Sequence, residues 1–211
     1  IEPDNLPHQL FYCHQPKSEL ADSRALEYIR WGEEQGFHKR PSCRSRRLWY
    51  DVGTRRTPDA ALPCSYGETY KFFRNDGALI DKRLYELHFA ARTDLVTNLN
   101  STLTTLFLET GTRRGLGDGL LDITVYEAKQ IPVFIHPLNG GIHRRIGSIF
   151  DELGIDPDNP IRSQEPSPQP DRATIDKQVF DAIGLNSDER REVYWSVAEL
   201  TKQRLEKAAS R

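Results

Sequence analysis

The segment TDLVTNLNSTLTTLFLETG, residues 93–111, decides the fold class of this chain. Its apolar residues recur at the spacing of a helix, and Asn100 or Ser101 is expected to cap or kink that helix. Short β-like runs stand on both sides of it: RRLWYDV (46–52), ALPCSY (61–66), YKFFRN (70–75), RLYELHFAA (83–91) and IPVFI (131–135). The pattern predicts an α+β fold, with a mixed, mostly antiparallel sheet and flanking helices.

Helical spacing and turn signals extend this prediction in both directions. The segment at residues 18–36 is predicted to be a helix whose apolar face includes Leu26, Ile29 and Trp31 and which stops at Gly36. Asn-Asp-Gly at residues 75–77 is a strong hairpin-turn signal.

The C-terminal part of the chain has a different composition. Residues 154–171 contain five prolines among polar residues, which indicates a linker. Two helices are predicted after it, at residues 174–185 and 186–210, the second with a capping box from Asn186 to Glu189. The predicted organisation is therefore a domain at 1–150, a Pro-rich linker at 151–173 and a helical C-terminal tail at 174–211.

The composition indicates a soluble globular protein. The chain has 211 residues, of which 37% are apolar and 28% are charged, and no apolar run reaches the roughly 18 residues that a membrane helix needs. Cys13, Cys43 and Cys64 are odd in number and widely spaced, so we expect reduced thiols in a cytoplasm and no zinc site. The lack of any Met and the abrupt start suggest a piece of a longer protein.

Positive charge is concentrated in one place, although the net charge is only −2. Residues 37–56 carry seven Lys and Arg residues and a single acid, Asp51, whereas residues 151–211 carry nine basic and thirteen acidic residues. Arg can make bidentate contacts with phosphate or with the guanine edge. Pro41 and Ser42 argue against a helix here, so the patch is predicted to be a loop that leads into a strand. It is either a polyanion-binding surface or a solvated loop above core aromatics Trp49 and Tyr50.

Catalytic signals are weak. The segment LFLETGTRRGLGDG, residues 106–119, has the glycines that let a backbone approach a dinucleotide or S-adenosylmethionine, but not the G-x-G-x-x-G spacing after a strand. There is no G-x-S-x-G motif, and no Ser/His/Asp or Cys/His set can be assembled from the sequence. The cofactor-binding reading of residues 109–119 stays open as an alternative.

Four stretches occur in an order that resembles a known family: residues 25–53, 72–77, 99–109 and 115–134. The series is similar to the C-terminal target-recognition domain of adenine-N6 DNA methyltransferases of type II restriction-modification enzymes. It is more distantly similar to TaqI-type methyltransferases and type I specificity subunits. The nearest string to the family's N-P-P-Y/F catalytic motif is DNPI at residues 158–161, which lacks the second proline and the aromatic residue.

The resemblance implies a prokaryotic module that recognises duplex DNA and positions a catalytic domain, with the methyl donor S-adenosylmethionine bound in that missing domain of the parent chain. The fragment itself would not be an enzyme and would hold no cofactor or metal, while the parent would methylate adenine at N6, with or without cleaving DNA. The foremost DNA-contact candidates are Lys39, Arg40, Arg44, Arg46 and Arg47, with Ser42 as a phosphate donor. Second in rank are Arg55, Arg56, Arg74, Arg113 and Arg114. A protein-interaction module that docks through the C-terminal helix is a further alternative.

Overall fold

The computed structural model describes residues 7–81, 83–90, 95–114 and 119–210, with only the backbone at Arg114. Contacts divide the chain into two compact units, Glu2–Thr57 and Pro58–Arg211, with Ile1 grouped with the second. We call these the N-terminal unit and the C-terminal unit. This division differs from the predicted boundary at residue 150, because the predicted linker and tail belong to the same unit as the strands.

The N-terminal unit is built around one helix. Helix α1, Arg24–Glu34, begins where the Ser23 side chain accepts a hydrogen bond from the Leu26 N–H at 3.2 Å. It ends before Gly36, whose φ of 76° lies in the left-handed region that favours glycine. The helix prediction and its stop at Gly36 are confirmed. Its buried face packs in a small core with four buried hydrophobic residues: Leu20, Leu26, Ile29 and Tyr50.

The C-terminal unit contains two small antiparallel sheets, so the α+β class is confirmed. The first joins β3 (Phe73–Arg74), β1 (Ala60–Pro63) and β4 (Leu84–Leu87) in that order. The second joins β2 (Ser65–Tyr66), β6 (Leu121–Asp122) and β5 (Arg113–Arg114). Every strand pair in the described residues is antiparallel.

Two strand-level predictions are wrong. Strands β3 and β4 both pair with β1 and not with each other, so the turn at residues 75–77 does not join a hairpin. Asn75 instead is buried, and its side-chain amide donates to the carbonyls of Pro58 and Ala78 at 2.8 Å each. Residues 131–135 form no strand, although Ile131 and Val133 pack against the core.

The segment at residues 93–111 is confirmed as helical, with a break in the middle. Helix α3, Val96–Leu99, precedes helix α4, Thr102–Gly111, and the side chain of Ser101 caps α4 by accepting from the Thr104 N–H at 3.3 Å. Two short helices follow, α5 (Val125–Ala128) and α6 (Ile149–Leu153). No helix among the described residues is long and apolar enough to cross a membrane.

Helices α7 (Pro170–Ile183) and α8 (Ser187–Ala209) end the chain, and the predicted capping box at Asn186 and Glu189 is present. An apolar stripe of α8 packs inside the unit against α4, with Val197, Ala198 and Thr201 fully buried. A protein-interaction role for this stripe would therefore require it to leave its own core.

Residues 154–169, predicted as part of a linker, are packed against the same unit. Ile155 and Ile161 are buried, and the indole N–H of Trp195 on α8 donates to the Gln164 carbonyl at 2.9 Å. The prolines are compatible with this, because fixed backbone angles suit an irregular segment whose side chains are held by packing.

Charged side chains are buried in pairs in this unit. Arg204 on α8 meets Glu109 on α4 at 2.7 Å, and Arg172 on α7 meets Glu152 on α6 at 3.0 Å. All four side chains are at most 2% exposed. A buried ion needs such a partner, since an unpaired one loses its hydration without compensation.

Glu152 should make the stability of the C-terminal unit sensitive to acid. Burial opposes its ionisation, but hydrogen bonds from Arg144, the Gly147 N–H and Arg172 outweigh this and lower the pKa of Glu152 to about 2, from an ordinary 4.5. A lowered carboxyl pKa stabilises the fold above the unfolded value, and this contribution is lost as the pH falls through the folded value.

We therefore expect the free energy of unfolding of the wild type to exceed that of Glu152→Gln by a margin that is constant above about pH 5. The margin should shrink by about 3 kcal/mol as the pH falls from 4.5 towards 2. Urea unfolding at several pH values measures this margin. The other carboxyls do not contribute to it, because they titrate in both proteins. A margin independent of pH would contradict this assignment.

Candidate nucleic-acid interface

The basic segment, residues 37–53, follows α1 and is more ordered than the predicted loop. A 3-10 turn, Phe37–Lys39, leads into helix α2, Pro41–Arg44. The prediction that Pro41 prevents a helix is wrong, because proline at the first helical position has no N–H to lose and already has a helical φ. Residues 46–52 are turns and irregular structure, so the predicted strand here is also wrong.

The trailing end of the basic segment is fixed by aromatic packing on α1. The indole of Trp49 lies over Gly32, where an added Cβ would be 2.5 Å from Cη2 of the ring. The indole N–H also donates to Glu33 at 3.1 Å. Tyr50 is 5% exposed, and its hydroxyl donates to the Gln15 carbonyl at 2.7 Å. Trp49 and Tyr50 thus anchor the segment, although not as part of a strand.

Asp51, the only acid of the basic segment, is engaged at this anchor. Its carboxylate accepts from the Gly53 N–H at 2.7 Å and meets Nδ1 of His14 at 2.7 Å. The Gly53 hydrogen bond and then the His14 contact lower the pKa of Asp51. The Asp51 carboxylate therefore stays ionised and is already engaged by Gly53 and His14.

The foremost predicted site residues are all exposed: Lys39, Arg40, Ser42, Arg44, Arg46 and Arg47. Within the described residues, none of these five cations lies within 4.0 Å of a carboxylate. The Arg40 guanidinium instead lies 4.4 Å from the ring centroid of Phe37, in cation–π geometry. This leaves the charged groups of the segment available to an external anion.

Arginines of the C-terminal unit behave differently. Seven of them have carboxylate partners: Arg113, Arg144, Arg162, Arg172, Arg190, Arg191 and Arg204. Residues 2–57 carry ten basic and eight acidic residues, whereas residues 58–211 carry nineteen and twenty-three. The excess positive charge of the chain is therefore confined to the N-terminal unit.

The second-ranked residues are distributed over both units. Arg55 and Arg56 are exposed in the N-terminal unit, and the backbone N–H of Arg55 donates to the Tyr12 hydroxyl at 3.1 Å. Arg74 lies on β3, and Arg113 on β5 pairs with Glu127 at 3.0 Å. The side chain of Arg114 lies outside the described residues. The proposed role of these five residues stays a prediction.

Exposed aromatic side chains lie beside the basic segment, which sequence reasoning did not assign to the site. Tyr28 and Trp31 on α1 are 49% and 45% exposed, and their rings stack with centroids 5.4 Å apart. Together with Arg46 and Trp49 they line a recess of about 270 Å³. In the sequence, the signal for this aromatic pair was its spacing of three residues on a predicted helix. The same spacing is equally typical of a helix face that packs in the core. Trp31, predicted on the apolar face, is in fact half exposed.

The glycine-rich alternative site is only partly described, because residues 115–118 lie outside the described part of the chain. Glu109, at its start, is buried and accepts hydrogen bonds from Arg204, Tyr70 and Thr201. Its carboxylate is therefore occupied and does not face a ligand. In the described residues, no group of three or more His, Cys, Asp and Glu side chains could hold a metal ion.

Gly32→Ala tests whether the Trp49 contact holds the basic segment on α1. Alanine usually stabilises a helix interior relative to glycine by about 1 kcal/mol. Here the added methyl must displace the indole, and overpacking of this kind costs about 1–3 kcal/mol. We expect faster amide hydrogen exchange in α1 and residues 48–51, measured by mass spectrometry.

Trp49→Phe removes the colliding ring atoms and supplies the control. In a double-mutant cycle, Gly32→Ala should cost less in the Trp49→Phe background than in the wild type. Equal costs in the two backgrounds would show that the two residues do not interact.

Comparison with known proteins identifies the family. The family described as "Type II methyltransferase M.Eco57I, C-terminal domain" matches residues 2–152, which include the whole basic segment and both sheets. No curated protein and no solved structure matches the chain. Since the match covers well over half of the 211 residues, the chain belongs to the family of M.Eco57I-type C-terminal domains of type II methyltransferases.

Proposed function

We propose that this methyltransferase C-terminal domain binds double-stranded DNA through the basic segment and recognises a specific sequence there. By doing so it positions the catalytic domain of its parent chain on the target site. The catalytic domain is the source of the chemistry, so this chain acts as a recognition module.

The observation that carries this proposal is the set of exposed cations without carboxylate partners at residues 39–47. Five such side chains on a short, anchored segment concentrate positive potential, which duplex DNA matches with one negative charge per about 1.7 Å of helix axis. A solvated loop would need no anchor, whereas Trp49, Tyr50 and Asp51 fix the trailing end of this one.

The segment offers both kinds of contact that sequence recognition needs. Exposed Lys39 and the Ser42 hydroxyl suit phosphate oxygens, which set register and orientation. Arg44, Arg46 and Arg47 can bind phosphate or form bidentate hydrogen bonds with O6 and N7 of guanine in the major groove. Which of these three arginines reads a base determines the target sequence.

The family and the resemblance support a proposal for the reaction of the parent chain. We propose that the parent is a prokaryotic, cytoplasmic adenine-N6 DNA methyltransferase of a restriction-modification system. Its catalytic domain would bind S-adenosylmethionine and receive the target adenine flipped out of the duplex, since chemistry on a base requires extrusion from the stack. Under this proposal S-adenosylmethionine does not bind the chain described here.

A salt series of duplex binding tests the proposal. The triple variant Arg44→Ala/Arg46→Ala/Arg47→Ala should bind duplex DNA more weakly than the wild type. If all three arginines meet phosphates, the slope of log affinity against log salt should shrink by about 0.9 per lost contact. Fluorescence anisotropy of a labelled duplex at several salt concentrations measures both quantities.

The matched control removes three positive charges from the exposed surface of the C-terminal unit: Lys129, Lys177 and Lys207, each replaced by Ala. This control has the same net charge as the triple arginine variant but keeps the basic segment. It should retain most of the wild-type slope. Equal slopes and affinities for the wild type and the arginine variant would overturn the proposal.

A further inference from the structure

A second cationic recess lies in the C-terminal unit, between β3 and the chain segment at residues 141–146. It has a volume of about 350 Å³. Five of its lining residues are Lys, Arg or His: Lys71, Arg74, His143, Arg144 and Arg145. No Asp or Glu lines it among the described residues, although this unit is acidic as a whole.

The walls of the recess are held by specific hydrogen bonds. The side chain of Asn100 accepts from the Phe72 N–H at 3.0 Å and donates to the Phe72 carbonyl at 3.1 Å, which fixes the β3 side. On the opposite side, the Arg144 guanidinium donates to Glu152 at 2.5 Å and to Asp171 at 2.8 Å. Arg144 is thereby neutralised, and its role is to fix the segment that carries its neighbours.

Those neighbours are left to face a ligand. Arg145 is exposed and Lys71 is half-buried, and neither forms an ion pair within the described residues. Nζ of Lys71 lies 5.4 Å from the ring centroid of Phe73. His143 folds close to Gly141, where an added Cβ would lie 3.1 Å from Nε2. Two uncompensated cations and an imidazole therefore line one recess together with the apolar residues Val96 and Ile142.

We infer that this recess binds the phosphate group of a nucleotide, through Lys71 and Arg145 with His143 beside them. Paired cations favour a phosphate oxyanion, and charge-assisted hydrogen bonds to it are about twice as strong as neutral ones. The volume exceeds that of a phosphate alone, so the recess also has room for an attached sugar beside its apolar lining residues. The phosphate belongs either to the backbone of bound DNA, in which case the inference rests on the proposed function, or to a free nucleotide.

The test compares the full chain with Lys71→Ala/Arg145→Ala. The matched control is Lys129→Ala/Lys207→Ala, which removes two exposed charges of the same unit away from the recess. In the duplex arm, the recess variant should reduce the slope of log affinity against log salt by about 0.9 per phosphate contact, or about 1.8 in total. The control should not change the slope.

The second arm titrates a 5′-mononucleotide and follows the imidazole resonances of His143 by NMR. If the recess takes a free nucleotide, these resonances should shift in the wild type and the control, and remain unchanged in the recess variant. A changed slope in the duplex arm identifies the phosphate as that of the DNA backbone. The inference is overturned if the recess variant matches the control in both arms.

The two proposals fail in different ways. If the variant at Arg44, Arg46 and Arg47 loses duplex binding and the Lys71→Ala/Arg145→Ala variant has no effect in either arm, only the inference about the recess is overturned. If the wild type does not bind duplex DNA, the proposed function is overturned. The nucleotide arm then tests by itself whether the recess binds a phosphate.

Discussion

The ion pair between Arg204 and Glu109 is the interaction on which the C-terminal unit most depends. It joins α8 to α4 across 95 residues of sequence, and Arg204 also donates to the Gly67 carbonyl at 2.8 Å and to the Tyr70 hydroxyl at 2.7 Å. Removal of one member of such a buried pair costs about 3–5 kcal/mol, because the other is left charged without a partner. The side chain of Asp176 on α7 adds a similar link, since it accepts from both the N–H and the hydroxyl of Thr102 at the start of α4. Residues beyond 152, where the family match ends, thus supply the partners that complete the core of the matched region.

The pairing of arginines with carboxylates also distinguishes the C-terminal unit from the basic segment. Arginines that serve the fold here are paired with carboxylates, from buried Arg172 to exposed Arg162. The cations at residues 39–47 have no such partners in the described residues, yet the segment that carries them is anchored on α1. Stability does not explain this arrangement, since exposed like charges repel one another. The DNA binding proposed above would account for it.

The sequence predicted the features that depend on local signals. Helices α1, α4 and α8 follow from their apolar spacing, and α4 and α8 also from the predicted caps at Ser101 and Asn186. The irregular structure of residues 46–52 and 131–135 could not be predicted, because a short apolar run gives the same signal whether it pairs with a strand or packs singly on a core. For the site, the density of positive charge was visible in the sequence. The sequence did not show that those cations lack carboxylate partners, since this depends on which distant carboxylates reach each arginine. It also did not show the recess of Lys71 and Arg145, because segments about 70 residues apart form it.

The most direct test of the central claim is an arginine-modification footprint. Phenylglyoxal reacts with accessible guanidinium groups, and mass spectrometry locates each product in the chain with and without saturating duplex DNA. Arg44, Arg46 and Arg47 should react in the free protein and be protected in the complex. Arg190 and Arg191, which are ion-paired on α8, should react to the same extent in both states. Unchanged reactivity of Arg44, Arg46 and Arg47 in the complex would contradict the account.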